Sequence, residues 1–284
     1  MEQKIGLLIC GNSGIDYMNL DYPHKVVRST LIIDNKEYED YVDIKAEDFY
    51  EMVVNNPDID LSTSQVSTGK VQEVYEEFKR EGYTDVIVIA VSSKLSGTYQ
   101  GAILAKDLVD DLNVYVVDSK SVSYGQMHFI YEAVKLIKEG LDAETIFNKI
   151  SSLHDRINIY VLVDTLKYLV KNGRLSQTSG FLGTLLKIKP LLRIDENGSL
   201  VPYEKIRTTS KARRRLLDLV KEEIKDKKVE LFIAYTNNKE EAFLMKDELL
   251  ESNNNLKISV VPLTPVVGAH AGPGTIGLGY IEID

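Results

Sequence analysis

The chain has 284 residues, 44% of them hydrophobic, a single cysteine and a formal net charge of −9. That length is beyond the usual single core of about 100–150 residues, so two domains are expected. The acidic balance argues against a nucleic-acid partner, and the lone Cys10 excludes an internal disulfide framework or a cysteine-rich zinc site.

The apolar start after Met1 has no small-residue cleavage site and reads as a first strand over residues 5–9. No stretch reaches the ~20 apolar residues of a membrane span, so a cytoplasmic protein with no transmembrane segment is expected. Residues 68–81 carry Val71, Val74, Tyr75 and Phe78 at three- and four-residue spacing and stop at Gly82, which predicts a helix. The run 86–91 predicts a strand, 98–109 a helix, 114–117 a strand and 126–138 a helix ending near Gly140. Continuous β-branched runs alternating with helices indicate a mostly parallel α/β layer with right-handed crossovers. Ligands of such layers meet the carboxyl ends of the strands, where the segments 92–98 and 118–123 fall.

Beyond residue 157 the pattern changes. A strand over 158–163 leads into Leu166-Lys167-Tyr168-Leu169, and 190–194 with 200–206 read as a hairpin around Asp195-Glu196-Asn197-Gly198. A helix capped by Thr209 or Ser210 runs to about 225, followed by a strand over 230–235, a helix over 239–251, and strands over 257–262 and 276–283. The fold class expected is therefore α/β in two domains. Residues 1–159 form the parallel layer, and 160–284 form a second α/β domain with antiparallel pairing.

Three groups of residues carry chemistry. Ser96-Gly97-Thr98 follows a strand and opens a helix, so Ser96 can cap it, Gly97 permits close approach, and free N–H groups favour an anion. Ser62-Thr63-Ser64-Gln65 resembles a capping turn, yet it lies one crossover from the first group and could face it. His270 sits in a glycine-framed segment with Gly268, Gly272, Pro273 and Gly274, which reads as a loop able to approach a ligand. Arg174, after Gly173, supplies a fixed positive charge or simply complements a helix end. Lys205, Arg207, Lys211, Arg213, Arg214 and Arg215 form a basic cluster, either a solvated helix face or a docking patch. Phosphate-loop, nucleophile-elbow and zinc-protease motifs are absent from the sequence. A hydrolase built on Ser96, His270 and Asp118 is the enzymatic alternative, and an interaction module built on the basic cluster is a third reading.

Together, Thr63-Ser64-Gln65, Ser92-Ser93-Lys94-Leu95-Ser96-Gly97-Thr98-Tyr99-Gln100, Asp118-Ser119, Asp164-Thr165-Leu166-Lys167-Tyr168-Leu169-Val170-Lys171-Asn172-Gly173-Arg174, Ile188-Lys189-Pro190 and His270-Ala271-Gly272-Pro273-Gly274 resemble the DegV family of bacterial fatty-acid-binding proteins. The resemblance spans nearly the whole chain in the family's order. It implies a buried long-chain fatty acid as ligand, with no catalytic residues, metal or other cofactor. Thr63, Ser96, Gly97 and His270 would bind the carboxylate, and Ser64, Thr98, Arg174 and Arg207 would support the head group or a partner. Such proteins are similar to the acyl-carrying subunit of bacterial fatty acid kinase, whose separate ATP-dependent subunit phosphorylates the carboxylate. Transient contact with a membrane surface would then serve lipid exchange. Val122, Phe129, Ile130, Phe181, Leu182, Leu185 and Leu186 are candidate tail-lining residues. The chain departs from the family pattern at Cys10-Gly11-Asn12-Ser13, at Val66 and at Met127, so contacts from the first loop and the shape of the pocket near Met127 are expected to differ.

Overall fold

The computed structural model describes residues 3–175 and 189–283. Its first half contains β1 (Ile5–Cys10), β2 (Lys25–Val27), β3 (Thr30–Ile33), β4 (Lys36–Glu39), α1 (Ala46–Asn55), β5 (Leu61–Ser64) and α2 (Thr68–Arg80). There follow β6 (Asp85–Ala90), α3 (Thr98–Lys106), β7 (Asn113–Asp118), α4 (Tyr124–Lys138) and α5 (Ala143–Ile150). Strands β2-β1-β6-β7 form an all-parallel sheet. Every residue of β1 and β6 is buried, which is why these segments read as unbroken apolar runs rather than alternating ones. One face packs on Val71, Val74, Tyr75 and Phe78 of α2, and the other on Phe129 and Ile130 of α4 and Ile146 of α5.

The second half contains β8 (Ile157–Leu162), α6 (Lys167–Lys171), β9 (Lys189–Ile194), β10 (Leu200–Ile206) and α7 (Thr209–Glu223). It continues with β11 (Val229–Tyr235), α8 (Lys239–Ser252), β12 (Lys257–Pro262), α9 (Pro265–Ala271) and β13 (Ile276–Glu282). The order β10-β9-β8-β13-β11-β12 makes a mixed sheet in which only β11 and β12 run parallel. The mixed sheet begins at Ile157, just ahead of residue 160. Its two faces differ: Tyr160, Leu162, Leu231 and Leu278 pack beneath α7 and α8, whereas Ile159, Phe232, Ala234 and Ile281 share a core with Phe129 and Ile130 of the first half. The two sheets therefore close on one another through a common apolar layer.

Three local expectations change. The segment around Thr63 is not a capping turn but β5, in a three-stranded antiparallel sheet of order β4-β3-β5, and the cap of α2 is Ser67, whose hydroxyl accepts from Lys70 N–H at 3.1 Å. The cap of α7 is Thr208, not Thr209 or Ser210, because its extended backbone aims the hydroxyl at Lys211 N–H. The glycine-framed histidine segment is helical through Ala271: Thr264 caps α9 and Pro265 occupies its first turn, a start signal that outweighs the glycines. Gly268 is needed for packing, since Tyr50 of α1 lies where its side chain would be.

Candidate ligand site between the two sheets

Helix α9 sets the position of His270. Its N-terminal amide at Val266 donates to the Asp40 carboxylate at 3.3 Å, and the Tyr50 hydroxyl donates to Leu263 O at 3.0 Å. Held this way, α9 lies against β5 and brings His270 Nε2 to 2.8 Å from Thr63 Oγ1. Alternation along β5 decides which hydroxyl takes part: Thr63 faces the histidine, while its neighbour Ser64 is exposed and donates to Gln65 O. His270 is pushed down to about 4, first by burial and then by the charge of Arg174, so the imidazole is neutral at pH 7. Its Nδ1 is buried and has no hydrogen-bond partner among the described residues.

The second group comes from the turn after β6. Asp118, at the end of β7, accepts from Ser93 N–H at 3.1 Å and Lys120 N–H at 2.9 Å. Ser92 ties the same turn to the mixed sheet by donating to Gly198 O at 2.7 Å. Ser96 Oγ lies 2.9 Å from Thr98 Oγ1 and accepts from Thr98 N–H at 3.3 Å. Thr98 is buried and does not line the cavity, so its part is to orient Ser96. The N-cap position of α3 is Gly97 rather than Ser96. A side chain there would meet the Gln65 carboxamide at 2.0 Å; the close approach that Gly97 permits is taken by Gln65, not left for a ligand.

Arg174 completes the mouth. Its Nε donates to Leu95 O at 3.2 Å and its Nη1 to Asn172 O, but no carboxylate pairs with it among the described residues. Burial lowers its pKa, as expected of a half-buried cation. Arg207 lies elsewhere: it is exposed between β10 and α7 and does not line the cavity. Thr63, Gln65, Ser96, Arg174 and His270 thus converge on one opening.

Behind that opening lies a largely apolar cavity between the parallel and mixed sheets. Of the candidate tail-lining residues, Val122 contributes to the wall, whereas Phe129 and Ile130 belong to the shared core. Phe181, Leu182, Leu185 and Leu186 lie outside the described residues. Met127 is fully buried in the core and forms no part of the wall, while Asn12, from the divergent first loop, does line it. Phe232, Leu263 and Gly277 were not legible as wall residues, because ordinary strand and core positions in a sequence look the same.

The arrangement disfavours hydrolysis. His270 bonds Thr63, Ser96 bonds Thr98, and Asp118 is committed to backbone amides, so no serine–histidine–carboxylate relay forms among the described residues. No group of three His, Cys, Asp or Glu suited to a metal occurs among them either. Cys10 is buried and its thiol is pushed up to about 12 by burial. Native protein at pH 8 is therefore expected to resist iodoacetamide and to be alkylated once only in 8 M urea, read by intact mass; rapid native labelling would contradict the buried thiol.

Comparison with known proteins agrees with this architecture. The family model for DegV, described as an uncharacterised protein family, matches residues 17–282. A DegV domain-containing protein from Halalkalibacterium halodurans is 36% identical over 259 residues, covering 90% of this chain and 91% of that protein. The crystal structure of a fatty acid binding DegV family protein from Streptococcus agalactiae superposes with a TM-score of 0.89 at 28% identity, covering 99% of this chain and all of that one. DegV from Bacillus subtilis, also a fatty acid binding protein, gives 0.88 at 28% identity over 99% of this chain and 100% of its own. The chain belongs to the DegV family.

Proposed function

We propose that the chain binds a long-chain fatty acid in the cavity between its sheets and, in the cytoplasm, presents the carboxylate to a separate ATP-dependent kinase subunit. The observation that carries this reading is the pairing of an apolar cavity with a mouth where Arg174 has no counter-charge among the described residues and the Thr63 and Ser96 hydroxyls converge with His270. Its two parts do different work. Burying ~14 methylenes at ~0.8 kcal/mol each gives roughly 11 kcal/mol of gross transfer energy, against ~1.5–3 kcal/mol for a charge-assisted head-group bond. The tail supplies affinity and the mouth supplies orientation. A neutral His270 can donate or accept one hydrogen bond without adding charge, and Arg174 keeps the carboxylate ionised and nucleophilic toward a phosphoryl group.

Denaturing extraction of purified protein should release a long-chain fatty acid detectable by mass spectrometry, and delipidated protein should bind added hexadecanoate one to one. Ser96→Ala should weaken binding by about ten- to 150-fold, since a hydrogen bond to an ionised carboxylate is worth about 1.5–3 kcal/mol. The same variant should slow acyl-phosphate formation by the kinase subunit. No extracted lipid together with no hexadecanoate binding would rule the reading out.

A further inference from the structure

The face of the mixed sheet that closes the cavity holds a glycine where an added side chain would meet only ordinary contacts. Along β13, Ile276, Leu278 and Tyr280 point into the core beneath α7 and α8, which puts Gly277 and Gly279 on the cavity side. Glycine inside a strand forgoes side-chain packing, and it commonly marks a close approach by something else. At Gly279 the visitor is part of the protein: a side chain there would meet Phe232 Cζ at 2.3 Å and Asn158 O at 2.7 Å. At Gly277 there is none, because the nearest atom to a built Cβ is Ala234 Cβ at 3.6 Å, an ordinary contact.

Strand register turns this into a shape. Gly277 pairs with Ala234 on one side and Val161 on the other, and all three line the cavity. Gly279 pairs with Phe232 and Ile159, both also in the wall. Neighbouring strands lie about 4.8 Å apart, so Ala234, Gly277 and Val161 make a low row across three strands. The row beside it, Phe232 over Gly279 next to Ile159, stands higher.

We propose that Gly277 is the residue that sets how much acyl chain the cavity accepts, with the chain crossing the low row and the Phe232 row forming its barrier. The inference rests on the fatty-acid reading above. A side chain at position 277 occupies volume otherwise filled by methylenes, at a cost of about fourfold in affinity for each methylene displaced. Short acids that end before the row are spared.

The test is a graded series, Gly277→Ala and Gly277→Val, with decanoate and hexadecanoate titrated calorimetrically onto delipidated protein. Alanine is expected to weaken hexadecanoate by about fourfold and valine by on the order of 50-fold, with decanoate changed by less than threefold in both. The alanine variant adds only an ordinary contact and a β-branched valine suits a strand, so the sheet should survive both changes. Equal losses for the two acids, or no loss for hexadecanoate, would overturn the role of Gly277 while leaving fatty-acid binding intact. Failure of the unaltered protein to bind either acid would instead remove the reading on which the inference stands.

Discussion

Lowering the pH from 6.5 to 4 should take about 3 kcal/mol more stability from the ligand-free protein than from its His270→Gln variant. The cause is burial: imidazole ordinarily titrates near 6.5, and in the folded chain His270 is held down to about 4. Between those values the unfolded chain binds a proton that the native chain does not, so stability rises with pH across the window. The contribution is fully present above about pH 6.5 and is lost as the pH falls through 4. Its size follows from a shift of about 2.5 pH units at 1.36 kcal/mol each. Asp40 works in the opposite sense. Burial raises its carboxyl to about 7, against a reference value of 3.8, so its contribution favours acid and is lost as the pH rises through 7. The raw stability curve mixes the two, which is why the difference between native protein and variant is the informative quantity. Glutamine retains a polar group to meet Thr63 but does not titrate. Urea unfolding midpoints measured every half unit from pH 4 to 7.5 give that difference, and parallel curves would show that His270 is not held neutral.

Replacing Gly268 with valine should destabilise the protein by about 2 kcal/mol and weaken the contact between His270 and Thr63. Two effects compete at this position. Helix propensity favours almost any residue over glycine, by up to about 1 kcal/mol. Packing opposes it, because an added Cβ would lie 2.2 Å from the Tyr50 hydroxyl and 2.6 Å from Cε1 of the same ring. Tyr50 cannot yield cheaply: it is buried, and its hydroxyl is bonded to Leu263 O immediately ahead of α9. Overpacking of this kind typically costs about 1–3 kcal/mol, and it should push α9 away from α1. Gly69→Ala in α2 provides the contrast, since nothing lies within 4 Å of its added methyl. Propensity acts alone there, and a gain of about 0.5 kcal/mol is expected. Chemical denaturation of both variants checks the pair, and a stable Gly268→Val protein would mean that α9 and α1 are not locked together.

The parallel sheet was readable because β1 and β6 are covered on both faces, which leaves an unbroken apolar record in the chain. The three-stranded sheet left no such record. β4 is Lys-Glu-Tyr-Glu with little of it buried, and β2 has only three residues, so neither carries enough periodicity to stand out. Position 270 was misread for a related reason: Gly268 suggested a flexible loop, when it is a helical glycine made necessary by a tyrosine from another element.

Hydroxyl identity and order along the chain bring forward Thr63, Ser96, Arg174 and His270 as candidates, because oxygen, guanidinium and imidazole groups advertise their chemistry in any fold. Their separate duties were not legible. Thr63 and His270 are 207 positions apart, and only the docking of α9 on β5 makes them neighbours. Strand alternation turns Ser64 away, Thr98 serves Ser96 from within the core, and Arg207 lies off the cavity altogether. Local pattern thus determined the buried strands, the amphipathic helices and the chemical inventory, since these depend on nearest neighbours along the chain. Which groups share the mouth, and why Gly277 has room for a side chain while Gly279 does not, was decided by strand register and sheet-to-sheet packing, where the contacts are made by residues remote in sequence.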